Sequence, residues 1–501
     1  MSKRRFREYF HRTIKLNPEL KEPLNDFLAN ITLPNHDLTK TQSFEDLLTH
    51  IFKDCDDVHF RKIELSPTQT LLLVYIKGLV DEQAIEKMIV RPIFDREDAE
   101  KKDHYSETLT SLSPKKYQDL ETLVQGALTG DVIIHLDGDK PVQVSLNGME
   151  TRSLSPPLTE QQVYGAKVGF IEDSKSNIAL MRQYFPDPRL KVKNYNIGTL
   201  SHTHVGLLYL DDYADENLLD EVQNKLASIK VEKIFSSREL AEQVIERPNS
   251  LFPQVQKTER VDQVAYALTQ GRIALMVNNT PFCNVLPIGL TTFYETAEDN
   301  DEGTTWSMMF IRFLRYVCLI ISTLLPALYV SLVAFHPELI PTTLAMTLAE
   351  SRNNIPLPAG LEALLMMFAL DVLVEASIRL PSFIGQTVGI VGGLVIGQAA
   401  VTAGVVSSAM VIVIAFTAIA SFTVPSWELA TSLRLVRYLL LFVSVFFGLY
   451  GLTLGVCLIF IHLSSLESFS KPYLDPIAPF NFKGLKAMFF KRIPGSKGEK
   501  T

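Results

Sequence analysis

The sequence predicts a duplicated α/β domain on the cytoplasmic side, followed by an all-α polytopic membrane domain of about four transmembrane helices plus one amphipathic or re-entrant helix. Three observations carry this expectation. Charged residues crowd the first part of the 501-residue chain and thin out after Trp306. Two strand-plus-helix signatures recur in the same order within the charged part. The second part holds apolar runs of the length that hydrocarbon about 30 Å thick requires, roughly 20 residues per helix.

In the charged part, "SFEDLLTHIFKD" places apolar residues at helical spacing, "VHFRKIEL" and "TLLLVYIKG" read as strands, and "VDEQAIEKMIV" reads as a helix with an acidic first turn. "LLVYIKGLVDEQAIEK" from Leu72 resembles "GLLYLDDYADENLLDE" from Gly206, and "ALTGDVIIHLDGDKPV" from Ala127 resembles "ALTQGRIALMVNNTPF" from Ala267. Each second signature is a strand, a turn (Asp137 to Gly138; Asn278 to Asn279) and another strand, the pattern of a hairpin. "RSLSPPLTEQQV" supplies the punctuation between two related subdomains. The division expected is a basic segment (1–30), α/β subdomains (31–152 and 153–305), a membrane domain (306–466) and a basic tail (467–501).

Several functions are disfavoured at this level. A formal net charge of −8 does not suit nucleic-acid binding, which needs a concentrated basic face, and the dense basic runs are terminal. Cys55, Cys283, Cys318 and Cys457 lie far apart, with neither metal-ligand nor disulfide-framework spacing, which fits a reducing compartment. No phosphate-binding loop, GxSxG or HExxH motif is present, so no catalytic residue, cofactor or metal is expected. His202 and His204 in "SHTH" have no further ligands nearby in sequence and read as an ordinary strand. The N-terminus opens on charges without an apolar h-region, so the first domain is expected in the cytoplasm.

In the apolar part, Tyr316 to Phe335 and Tyr438 to His462 each read as one span, with a kink expected at Pro326. Ile384 to Val424 lacks any charge and reads as two spans folding back near Thr402 to Ser408. Arg312 and Arg315 before the first span, and seven Lys or Arg against two acids from Lys471 onward, place both ends inside. That needs an even number of crossings. It leaves Leu361 to Leu380 as a helix that lies partly buried, re-enters or packs inside an assembly, and it puts Arg434 and Arg437 on the outer side, against the rule.

At about 100° per residue, Asp371, Glu375 and Arg379 share one narrow stripe of that helix, with Glu362 opposite. Ionisable groups beside hydrocarbon read as functional by default, so Glu362, Asp371, Glu375 and Arg379, with Gln386 and Gln398, are candidates for an ion pathway. Glu375 and Arg379, at i,i+4 spacing, are as a second reading a structural pair, and an interfacial amphipathic helix is the third. Gly385, Gly389 and Gly393 fall four apart, with Gly392 and Gly397 beside them, a spacing that lets helix backbones approach and predicts association.

"EASIRLPSFIGQTVGIVGGLVIGQAAVTAGVVSSAMVIVIAFTAIASF" and "FFGLYGLTLGVCLIFIHLSSLESFSKPYLDPIAP" resemble the A subunits of bacterial spore germinant receptors, the GerA family. The likeness extends through "GFIEDSKSNIALMRQ", "FPQVQKTERVD" and "EGTTWSMMFIRFLRY", and so covers nearly the whole chain. It implies a multi-pass protein of the spore inner membrane with its N-terminal domain and tail facing the cytoplasm or spore core. It also implies self-association around a cation-conducting pore, a nutrient-binding B subunit and a lipoprotein C subunit as partners, and contact with membrane lipid. The resemblance would place two arginines in an Arg-Gly-Pro-Arg-like run between the subdomains; "YGAKVGF" gives Tyr164 and Lys167 instead. A non-enzymatic, nutrient-gated cation channel subunit is therefore expected, with a secondary transporter or a non-conducting scaffold as alternatives.

Overall fold

A computed structural model of the chain describes Leu28 and residues 40–66, 69–94, 114–117, 119–146, 148, 157, 159–160, 167–295, 305–381, 385, 389, 392–393 and 397–489. The basic N-terminal opening, Tyr164, Gln386 and the last residues of the tail lie outside them. The chain forms two compact units, one running to Pro248 and again over Val255–Pro287, the other made of Asn249–Gln254 and Ile288–Arg492.

The first unit contains the duplication. Helix α1 (Thr41–Ile51) precedes strands β1 (Val58–Ser66) and β2 (Gln69–Ile76) and the short α2 (Glu82–Ile85); β3 (Lys115–Lys116), α3 (Leu120–Leu128), β4 (Asp131–Leu136) and β5 (Val142–Ser145) follow. The second copy comprises α4 (Ser174–Tyr184), β6 (Leu190–Ile197), β7 (Thr203–Leu210), α5 (Glu216–Ser228), α6 (Ser237–Val244), β8 (Gln256–Thr258), α7 (Val261–Thr269), β9 (Ile273–Val277) and β10 (Cys283–Leu286). The sheets are antiparallel, in the matching orders β1-β2-β4-β5-β3 and β6-β7-β9-β10-β8. Residues 71–76 of β2 and all of β4 and β9 are buried on both faces, which explains the unbroken apolar runs of β2 and β9; in β4 the run is interrupted by the buried Asp131 and His135. The expected hairpins form, with Gly138 and Asn279 at positive φ in their turns.

One device recurs in both copies. At the start of α1, the Thr41 backbone N–H and hydroxyl donate to Asp137 Oδ1 (3.1 and 3.2 Å), and its Oγ1 lies 3.2 Å from His135 Nδ1. At the start of α4, the Ser174 N–H and hydroxyl donate to Asn278 Oδ1 (3.1 and 3.2 Å), with Oγ 3.0 Å from His204 Nδ1. Each helix start is thereby tied to a hairpin turn. The copies are joined by the loop after α1, where Asp56 N donates to Val192 O (2.8 Å) and Val192 N to Asp54 O (3.0 Å). Arg182, fully buried on α4, grips Asp57 with both arms, Nε to Oδ2 at 2.7 Å and Nη2 to Oδ1 at 2.8 Å.

The second unit is helical: α8 (Thr305–Phe335), α9 (Thr342–Arg352), α10 (Ala359–Arg379), α11 (Ser408–Ser421), α12 (Trp427–Ser464) and, beyond a small hairpin, α13 (Phe482–Phe489). Gly385, Gly389, Gly392, Gly393 and 397–402 are also helical, and the chain turns at 403–406 with Gly404 at φ +65°, where the sequence predicts a fold-back. Among the described residues, Trp306–Phe335 and Trp427–Ser464 are long and apolar enough to cross a membrane, against the four crossings expected.

Helix α12 departs from the single span expected over Tyr438 to His462. Gly448 has φ 59° and ψ −141°, a region open essentially to glycine alone. A Cβ on Gly455 would lie 2.7 Å from Leu440 Cδ2, and one on Gly451 would lie 2.8 Å from Val443 O. Fifteen residues of straight helix would separate Leu440 from Gly455 by about 22 Å, so α12 doubles back at Gly448 into two antiparallel arms. Gly451 and Gly455 allow the close approach. Trp427 and Ser464 therefore lie toward the same end, and Gly448 at the other, against the Phe335 ring that closes α8.

Candidate functional site: charged side chains in the helical unit

Helix α10 buries Glu362, Ala363, Met366 and Met367 and exposes Leu361, Leu365, Phe368 and Val372. Its charged side chains occupy three levels with different surroundings.

Glu362, at the first level, is fully buried. Its Oε1 accepts from the Ser407 N–H and hydroxyl, both at 2.6 Å, and its Oε2 lies 3.0 Å from Arg352 Nη1. Ser407 is the N-cap of α11, its hydroxyl accepting from Met410 N. A carboxylate there meets the partial positive charge of a helix start as well as a guanidinium. The group expected opposite the stripe is thus a buried tie between α9, α10 and α11.

At the second level Asp371 leaves the stripe's fate behind and turns inward. Tyr438 donates its hydroxyl to Oδ2 at 2.6 Å, while Arg437 Nη2 and Arg434 Nε each stand 3.5 Å from Oδ1. Glu375 and Arg379, at the third level, form the i,i+4 pair that their spacing predicts, at 3.0 and 2.7 Å, with side chains 55% and 78% exposed. The structure thus brings Glu375 to Arg379 and separates Asp371 from both.

Sequence reasoning missed Arg352, Ser407 and Tyr438 as partners, and it placed Arg434 and Arg437 on the outer side. Their signal was the conflict with the charge rule. Once α12 doubles back, both arginines fall toward the end shared with the tail.

The glycine ladder also divides. Cβ atoms on Gly385 and Gly392 would stand 2.7 Å from Ser377 O and 2.6 Å from Leu373 Cδ2, so these two glycines admit α10 itself. On Gly389 and Gly397 the nearest atoms would be at 3.7 Å, and on Gly393 nothing lies within 4 Å. Gly389, Gly393 and Gln398 are exposed. The long helices expose Trp306, Phe310, Phe313, Trp427, Phe442, Phe446 and Tyr450, as helices surrounded by lipid do. His204 is held by Ser174, and burial followed by Lys175 lowers its pKa; among the described residues no group of three or more His, Cys, Asp or Glu is arranged to hold a metal.

The family model described as "Bacillus/Clostridium GerA spore germination protein" matches residues 46–500. The chain belongs to the GerA spore germination family. It is similar to spore germination protein KA of Bacillus subtilis (strain 168), 37% identical over 455 residues, which cover 89% of this chain and 82% of that protein. Spore germination protein A1 of the same organism is 36% identical over 467 residues, 93% of each chain. The crystal structure of the N-terminal domain of the A subunit of the Bacillus megaterium spore germinant receptor GerK3 aligns with 24% identity and a TM-score of 0.39, covering 49% of this chain and 94% of that one. Family membership supports a role in germination for this GerA-family chain, and the apolar helices support membrane association.

Proposed function

We propose that this protein is the A subunit of a nutrient-responsive germinant receptor of the spore inner membrane, and that several copies assemble into a ligand-gated, cation-conducting path. The B subunit would bind the nutrient and the lipoprotein C subunit would complete the receptor. The observation that supports conduction is Glu375, a carboxylate more than half exposed on a helix whose other exposed side chains are largely Leu, Phe, Val and Ile. In a membrane such a group needs water or a partner chain beside it. Gly389 and Gly393 are exposed, and among the described residues nothing would meet a Cβ on Gly393 within 4 Å, which leaves a helix surface open to a neighbouring copy. A ring of Glu375 carboxylates, once released from their Arg379 partners, would concentrate cations. Asp371 and Glu362, held by arginines, would fix the helices around the path.

The test is single-channel recording from the purified oligomer in planar bilayers. Cation-selective currents are expected, with Glu375→Gln lowering selectivity. A well-assembled oligomer without conductance would leave the chain a scaffold for the nutrient-binding subunit. The even-crossing topology is checked separately: Ser2→Cys and Ser496→Cys should resist an impermeant thiol reagent in intact cells, and reaction at either would overturn it.

A further inference from the structure

We propose that the junction between α10 and the first arm of α12 binds the phosphate of an anionic lipid headgroup, through Arg434 and Arg437. The inference is independent of conduction and rests on charge and hydrogen-bond bookkeeping in this cluster.

Asp371 is the single carboxylate that pairs with Arg434 and Arg437 among the described residues, so one negative charge faces two guanidiniums. Both ion-pair distances are 3.5 Å, long for charge-assisted bonds. Asp371 is also committed to the Tyr438 hydroxyl at 2.6 Å. The Arg437 side chain is only 4% exposed, yet its Nε has no hydrogen-bond partner. A guanidinium so buried and so loosely paired is costly beside hydrocarbon. One further singly charged oxoanion would balance the cluster and supply forked acceptors to a planar fork of donors.

The place of the cluster favours a lipid as the source. Arg434, with 28% of its side chain exposed, is the more accessible of the two arginines. It lies seven residues beyond Trp427, about 10 Å along the helix, and Trp427 is 59% exposed at the start of α12, as belts at the bilayer interface are. A phosphodiester at headgroup depth is within reach of an arginine stem extending toward the interface. Basic pockets between membrane helices on the cytoplasmic side recognise anionic headgroups in this way.

The experiment uses the full-length chain with Trp306→Phe, leaving Trp427 as its one tryptophan, in phosphatidylcholine vesicles containing phosphatidylglycerol. Quenching by brominated phosphatidylglycerol is compared with quenching by brominated phosphatidylcholine. The parent should prefer phosphatidylglycerol. Arg434→Gln and Arg437→Gln should each reduce that preference roughly five-fold, Arg434→Lys should retain most of it, and Asp371→Asn, which removes the competing carboxylate, should raise it. Arg434→Gln alters the more exposed arginine and keeps the test valid if the Arg437 variant misfolds.

Equal quenching by the two lipids in parent and variants overturns the proposal, as does a loss of preference in Asp371→Asn. If inorganic phosphate at millimolar concentration abolishes the preference, the ligand is free phosphate and the lipid assignment falls. If the arginine variants lose self-association while lipid preference is unchanged, the missing anion is a carboxylate of a second copy and the proposal is refuted. Channel currents do not enter any of these readouts, so failure here leaves the proposed function standing.

Discussion

Replacing Gly448 with alanine tests the doubling back of α12 directly. Its dihedral angles (φ 59°, ψ −141°) lie where residues other than glycine are strained, at a cost of about 1–3 kcal/mol. The added Cβ would stand 2.7 Å from Phe335 Cγ and 2.9 Å from its Cβ, an overpacking term of about 1–3 kcal/mol. The total, about 2–6 kcal/mol, is comparable to the stability margin of many domains. Phe335→Ala added to Gly448→Ala should relieve the clash and leave the dihedral strain, giving partial recovery.

The assay is intramolecular crosslinking of Leu440→Cys with Gly455→Cys, in a background without Cys318 and Cys457, using a bifunctional reagent shorter than about 10 Å. The parent with Gly448 should crosslink within one chain, and Gly448→Ala should crosslink less. Absence of the crosslink in the parent would mean that the helix runs straight, since about 22 Å would then separate the two positions. An unchanged yield with alanine at 448 would refute the dihedral argument.

Asp57→Ala, which leaves Arg182 buried without its carboxylate, should destabilise the first unit by about 3–5 kcal/mol, whereas Asp57→Leu with Arg182→Met should be far milder; protease resistance of that unit in the purified protein reads both. Glu160 accepts hydrogen bonds from Thr258 Oγ1 at 2.6 Å and Glu259 N at 3.3 Å, yet burial, opposed by those bonds, raises its pKa to about 7. The folded state therefore binds its proton more tightly than the unfolded chain, so its contribution is full below the ordinary carboxylate value and is lost as pH rises through about 7. Thermal scans from pH 5 to 8 should show a steeper decline in the parent than in Glu160→Gln. Gly392→Leu should impair folding of the single chain, because Leu373 occupies the space, whereas Gly393→Leu should leave the chain intact and weaken crosslinked oligomers; equal effects in both assays would refute the division of the ladder.

The duplication in the first unit was legible because each copy repeats the same order of apolar runs and turn residues, and the turn at 403–406 because an uncharged run twice one span must fold back. The Glu375–Arg379 pair was legible because helical spacing alone brings i and i+4 together. The partners of Glu362 and Asp371 were not, since Arg352, Ser407, Arg434 and Tyr438 stand on other helices and no local pattern links them. Helical periodicity put Asp371 on the stripe of Glu375, and that angular placement holds. The difference lies in their partners: Asp371 meets Arg434, Arg437 and Tyr438 of α12, whereas Glu375 meets Arg379 of its own helix.

The sequence by itself determined which segments are strand, helix or turn, which side chains share a helix face, and the family to which the chain belongs, because these depend on local spacing and composition. Tertiary structure alone decided that α12 is two antiparallel arms, that Arg434 and Arg437 come to the end shared with the tail, and that the described residues cover only part of the glycine ladder. Those outcomes depend on the dihedral angles of one residue, Gly448, and on which backbones meet across helices distant in sequence. A hydropathy profile sums the same residues whether the helix runs straight or folds at its middle.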